Sequence, residues 1–185
     1  HKISIQAHCC HSYTPTSQVT ITLTNPVNDT SSFTIAFTVL TRPSAFSYPQ
    51  SSYSLFIGDD IGCMYSLNLK SGKINWTFDT GMRIVGSPAV SEGIVVFGSA
   101  NYNIYGLEAK TGKELWHIST KQAVMGAATI ENGIAYIGGG DGRMFAIDIH
   151  TGKIKWSFDE LKNYVLTRPL VYNQKLYFGT WDTHF

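Results

Sequence analysis

Two thiols and two imidazoles stand in a row at His8-Cys9-Cys10-His11, side chains that suit a zinc ion. Consecutive residues of an extended strand point to opposite faces, so the four cannot converge on one ion unless the backbone turns tightly. Zinc patterns also separate their Cys and His ligands by two residues or more. A Cys9–Cys10 disulfide is strained, because Cα atoms across a trans peptide lie about 3.8 Å apart, below the usual minimum of about 4.4 Å. The expectation is no metal and two thiols, one of them packed in a core as a small hydrophobe. Cys63, placed at a turn, reads as inert.

A second set of polar residues is spread along the chain. Asp60, Asn101, Asp141 and Asp182 recur at intervals near 40 residues and would form a ring of cation ligands if their turns met at one end of the molecule. Asp and Asn beside glycine also build tight hairpins by bonding to their own backbone and tolerating positive φ, and that is the role expected here. Asp148 and Glu108 precede Thr-Gly turns, where a carboxylate accepts backbone N–H groups, and Lys73, Lys113 and Lys153 follow the glycine in solvent. Arg83 and Arg168 lie in connections and are the expected contacts for an acidic partner. His117, His150 and His184 share no position, and no nucleophile motif or paired carboxylates occur, so no catalytic residue is assigned.

What must position these residues is a repeat. LNLKSGKINW, LEAKTGKELW and IDIHTGKIKW end on Trp76, Trp116 and Trp156, 40 residues apart. A period of this size marks a solenoid or a propeller. Gly72, Gly112 and Gly152 keep the same interval, as do Gly58, Gly98 and Gly138, while Gly179 follows one residue late. Each unit holds runs such as Ile94–Gly98 and Ile104–Leu107, a third run ending near the tryptophan, and a short segment around Pro88-Ala89-Val90. Such runs are short, rich in β-branched and aromatic residues and bounded by Gly, Asn and Asp, which makes them strands. The run at 94–97 is apolar on both faces and must be covered twice. A four-stranded blade between two neighbours does this, with each tryptophan filling the gap between blades and the glycines opposite admitting it.

The pattern Gly138, Asp141, Phe145, Ile147, Asp148, Thr151, Gly152, Lys153, Trp156 resembles the PQQ-like, or quinoprotein-type, β-propeller repeat. The middle unit departs with Asn101 and Glu108 at the acidic positions, and the first with Asn68 at the second of them. The resemblance covers residues 53–185 and implies an all-β fold: three four-stranded blades and the start of a fourth. Structural repeat residues are then Trp76, Trp116, Trp156, Gly72, Gly112, Gly152, Asp141 and Asp182. The family includes pyrroloquinoline-quinone dehydrogenases, outer-membrane assembly scaffolds of the BamB kind and propellers attached to unrelated enzymes, so fold does not dictate activity. Its propellers close with seven or eight blades, about 280 to 330 residues at this repeat length. The segment is therefore expected to belong to a longer polypeptide, whose remainder is its first partner.

Residues 1–43 lie outside the repeat. Gln18–Thr24 and Ser32–Val39 alternate apolar with small polar residues, and Lys2–Ile5 reads as an earlier strand, the pattern of an antiparallel β-sandwich with one buried face. Residues 44–52, rich in Ser and Pro, read as a linker. The net charge of +1 without a basic block argues against a nucleic-acid partner, and no run of 18 apolar residues encodes a membrane helix. Low charge with abundant Ser, Thr and aromatics suits an exported protein, periplasmic, cell-surface or secreted. The function expected is a non-catalytic binding or scaffold module for protein or carbohydrate, without a cofactor, in a larger protein with a hydrolase domain upstream. The alternatives are part of a quinoprotein dehydrogenase using pyrroloquinoline quinone with calcium, and an outer-membrane assembly scaffold.

Overall fold

The computed structural model describes residues 3–5, 17–23, 34–39, 54–161 and 163–180. The His8–His11 cluster, the 44–52 linker, Asp182 and His184 lie outside the described residues. Every regular element described is a strand, and no helix is long and apolar enough to cross a membrane. Two compact units emerge, one from His1–Tyr53 with Lys70–Gly72 and one from the rest.

In the first unit, β1 (Ile3–Ile5), β2 (Ser17–Leu23) and β3 (Thr34–Val39) form an antiparallel sheet in the order β1-β2-β3. In the register of this sheet Ile21 stands opposite both Ile5 and Ile35.

The second unit is built of blades. The first holds β4 (Ser54–Gly58), β5 (Cys63–Asn68) and β6 (Ile74–Asp79). The second holds β7 (Ala89–Ser91), β8 (Ile94–Gly98), β9 (Asn103–Glu108) and β10 (Glu114–Ser119). The third holds β11 (Thr129–Glu131), β12 (Ile134–Gly138), β13 (Met144–Asp148) and β14 (Ile154–Phe158). A fourth begins with β15 (Leu170–Tyr172) and β16 (Lys175–Tyr177). All pairings are antiparallel between consecutive strands. The second and third blades carry the four expected strands. The first carries three described strands, and the position equivalent to β7, residues 49–51, lies outside the described residues.

The apolar run of β8 is buried on both sides because its alternate residues enter different cores. Val95 and Phe97 pack with Met64, Ile84, Tyr105 and Leu107 toward the first blade, with Trp76 and Phe78 against them. Ile94 and Val96 pack with Val124, Ile137, Phe145 and Ile147 toward the third, with Trp116 against them. Each such side chain contributes about 1.5–3 kcal/mol of burial, and the double-faced core is what makes neighbouring blades inseparable.

The last strand of each unit runs past the tryptophan instead of ending there. The pairing skips one residue just before it: Trp116 faces Gly106 while Glu114 faces Leu107, and the same shift recurs at Trp76 and Trp156. Asn75, Leu115 and Lys155 are thus bulged, and a bulge re-aims the residue after it.

Candidate functional site

Antiparallel pairing puts the β4–β5, β8–β9 and β12–β13 loops at one end of the blades, together with the connections leaving β6, β10 and β14. Backbone bonds join them in a repeating way: Ala100 N–H to Arg83 O at 2.9 Å, and Gly140 N–H to Ala123 O at 2.9 Å. The connections cross tightly over glycine. A Cβ on Gly98 would stand 2.2 Å from Val124 Cγ1, and one on Gly138 2.3 Å from Val165 Cβ. This explains why Gly58, Gly98 and Gly138 keep the period.

The carboxylates at this end are engaged by the fold. Asp59, not Asp60, holds the first loop: its Oδ1 accepts the N–H groups of Ile61, Gly62 and Cys63 at 3.1, 2.8 and 2.8 Å, and its Oδ2 accepts the Tyr65 hydroxyl at 2.9 Å. Burial, and then the Asp59 carboxylate, raise the Tyr65 pKa above the usual phenol range. Asp60 is exposed and pairs with Arg83 at 3.2 Å. Asn101 accepts the Asn103 N–H at 3.2 Å, as a turn residue should, and its amide also donates to Thr80 O at 2.8 Å. Asp141 departs from that scheme. Its Oδ2 takes the Arg143 guanidinium, Nε at 2.8 Å, and Arg143 lies over the Phe145 ring at 4.8 Å. The other oxygen, Oδ1, is buried without a partner.

Several apolar side chains at this end face solvent: Ile61 is 75% exposed, and Met82, Val85 and Tyr102 are about half exposed. Arg83 therefore sits among exposed apolar residues, already paired to a carboxylate of its own chain. Arg168 is elsewhere, donating to Pro88 O at 3.3 Å beside the innermost strands. The two arginines expected to meet an acidic partner are not brought together by any shared bond.

The opposite end holds the Thr-Gly turns and the tryptophan contacts. Trp76 Nε1 donates to Ala109 O at 3.0 Å, and Trp116 Nε1 donates to Ile149 O at 2.6 Å. Each indole lies on the glycine three residues further on, where a Cβ on Gly112 would be 2.6 Å from Trp76 and one on Gly152 2.7 Å from Trp116. Trp76 and Trp116 fill the gaps between blades. They are half-buried, not fully so, which lowers the burial each contributes. Trp156 is 44% exposed.

Asp148 closes its turn by accepting from His150 N, Thr151 N and Thr151 Oγ1 at 3.1, 3.0 and 3.0 Å, with Lys155 Nζ 3.2 Å from Oδ2. The Lys155 bond first, then those from Thr151, lower its pKa from 3.8 to about 2. Glu108 does not accept backbone N–H groups as expected; its longer side chain reaches the Thr111 hydroxyl. Lys113 and Lys153 are exposed. His117 pairs with Glu114 at 2.7 Å and His150 with Glu92 at 2.9 Å, the latter across two blades.

Two repeating sets escaped the sequence reading. Ser66, Gly106 and Ala146 face the three tryptophans, and Ile84, Val124 and Val165 are the buried residues above the glycines. Each set recurs at 40 or 41 residues, and that interval is the signal that would have found them.

Antiparallel blades stacked face to face, with the Trp76 and Trp116 indoles docked on the next blade's glycine turn, define a β-propeller built of PQQ-like repeats. The family model described as outer membrane protein assembly factor BamB matches residues 54–183. The chain belongs to that family. Among solved structures it is similar to BamB from Moraxella catarrhalis, 24% identical with a TM-score of 0.63 over 69% of this chain and 40% of that one. It is similar to a europium-containing methanol dehydrogenase, 22% identical, TM-score 0.52, over 60% and 23% of the two chains. The computationally designed Ika4 protein is 20% identical, TM-score 0.63, over 77% and 89%. At these identities the likeness defines fold alone, and the chain spans about 40% of the length of the Moraxella protein. No curated protein sequence matches the chain.

Proposed function

We propose that the chain is a non-catalytic propeller module of a larger exported protein, and that its loop end binds another protein. The observation that carries this reading is the division of labour at that end. Asp59, Asp60 and Asp141 are each held by groups of the chain itself, while Ile61, Met82, Val85 and Tyr102 face solvent. Exposed apolar residues rimmed by polar ones suit a protein partner. The family's description as an outer-membrane assembly factor supports a scaffold role and export.

The quinoprotein alternative needs a calcium site with about six to eight oxygen ligands. Among the described residues of the loop end, the buried oxygen without a partner is Asp141 Oδ1, which belongs to a carboxylate already paired with the Arg143 guanidinium. That donor set, among the described residues, does not fit calcium.

The test has two arms. A photo-crosslinker placed at Tyr102 in the full-length protein, expressed in its host, should capture a protein partner that the same group at Lys113, at the opposite end, does not. Calcium-dependent dye reduction after addition of pyrroloquinoline quinone would overturn the reading.

A further inference from the structure

Tyr102 is held in a backbone conformation that the neighbouring repeats give to glycine. The matching positions of the first and third blades are Gly62 and Gly142, with φ of 108° and 73°, and Tyr102 has φ 70°. The turn is the same one: Thr80 N–H bonds Gly62 O at 2.9 Å, and Thr120 N–H bonds Tyr102 O at 2.7 Å. In the flanking blades a Cβ at this position would meet the following connection, 2.6 Å from Met82 N and 2.3 Å from Leu161 O. The second blade has therefore made room for a side chain while keeping the bond. A bulky residue at positive φ costs the fold stability, and the fold draws no contact from the ring in return. Among the described residues the ring belongs to neither hydrophobic core and meets no other ring, its hydroxyl makes no hydrogen bond, and the residue is 53% exposed. Both neighbouring blades are in place around it, so this exposure belongs to the loop end itself. Next to Thr120 stands Lys121, whose exposed ammonium makes no ion pair among the described residues. The carboxylate its backbone N–H approaches at 3.4 Å, Asp141, is already held by Arg143.

We propose that Tyr102 is the anchor on which the loop end takes its protein partner, and that the partner presents a bulky apolar side chain with a carboxylate beside it. The apolar group packs on the Tyr102 ring, and the carboxylate meets Lys121. Strain that the fold does not use points to a role outside the fold. Buried aromatic anchors carry much of the affinity of protein interfaces, and complementary charge beside them selects the partner. This rests on the reading of the loop end as a protein-binding surface and adds to it the residue and the chemistry of what it binds.

Substitutions in the full-length protein test it with two separate readouts. Tyr102→Gly restores the residue of the flanking blades and should raise the denaturation midpoint, whereas Tyr102→Phe, which keeps the ring, should leave it unchanged. Peptides selected from a random displayed library on the wild type and counter-selected on Tyr102→Gly should carry a bulky apolar residue next to Asp or Glu. They should bind Tyr102→Phe like the wild type and Tyr102→Gly at least about tenfold more weakly, as loss of an aromatic anchor implies. On Lys121→Ala their advantage over versions with Asn or Gln in place of the acid should vanish. A Tyr102→Gly protein less stable than the wild type would show that the ring serves the fold and would overturn the inference. Peptides that bind wild type and Tyr102→Gly alike, or that are indifferent to their acidic residue, would overturn it too. A protein crosslinked through Met82 as strongly in Tyr102→Gly as in the wild type would sink the anchor and leave the binding role of the loop end standing, while no crosslink from either Met82 or Tyr102 would remove both.

Discussion

At the residue scale, glycines that share a left-handed backbone differ in what they do, and substitution separates them. Gly81 has φ 75° with nothing within 4 Å of an added Cβ, so Gly81→Ala meets only the backbone cost, about 1 kcal/mol. Gly112 has nearly the same φ but would place a Cβ 2.6 Å from the Trp76 indole. Gly112→Ala should therefore cost about 2–4 kcal/mol, the backbone term plus overpacking, and the difference is read from two denaturant curves. Asp148 offers a titration. Its carboxylate pKa is lowered to about 2 by Lys155 and Thr151, so the folded state favours the charged form. Its stabilisation is complete above the ordinary carboxylate pKa near 4 and is lost as pH falls from there to about 2. NMR of the Asp148 carboxyl should show a midpoint near 2, and Lys155→Ala should move it upward. An unchanged midpoint in that variant would remove Lys155 as the main cause.

At the scale of the element, the connection that crosses each glycine fixes the angle between blades. A Cβ on Gly98 would meet Val124 Cγ1 at 2.2 Å, but also Val124 O at 2.8 Å. Gly98→Ala should cost about 2–3 kcal/mol. Trimming Val124 to Ala in the same chain should recover only part of that, since the backbone oxygen stays, leaving a coupling of about 0.5–1 kcal/mol in a double-mutant cycle. Additive effects would show that the crossing is looser than the distances say. This geometry was partly legible in the sequence. Identical spacing of Gly98 and Gly138 announced a repeat, and the two-faced run at 94–97 announced blades, because both are local patterns. What lies over the glycine is marked only by a bare interval of 40 or 41 residues, since Val124 is brought there by a connection of irregular backbone and Val165 comes one residue late. The loop carboxylates were misread for the same reason. Asp59 and Asp60 are adjacent, and only the folded turn shows that the first caps the loop while the second reaches Arg83. Asp141, written like its neighbours, is claimed by an arginine two residues away.

At the scale of the whole molecule, the same repeat is used unequally, because burial depends on having a neighbour. Strands β8 and β9 lie between two blades and are almost entirely buried, whereas every residue of β14 is exposed although its sequence matches β10 closely. Local stability follows packing: amides open most easily where few apolar contacts must break. Hydrogen exchange should therefore rank the strands along the arc, with β8 and β9 slowest, β12 and β13 next, and β14, β15 and β16 fastest. The inner strands need both adjoining blades to separate before their amides meet solvent, so their exchange should slow with global stability and fall together in Gly112→Ala. The outer strand of the third blade should be insensitive to that substitution, because it opens without disturbing the Trp76 junction. Uniform protection across all three blades would mean that the arc unfolds in one step, and that the face around Trp156 and Phe158 is covered in solution.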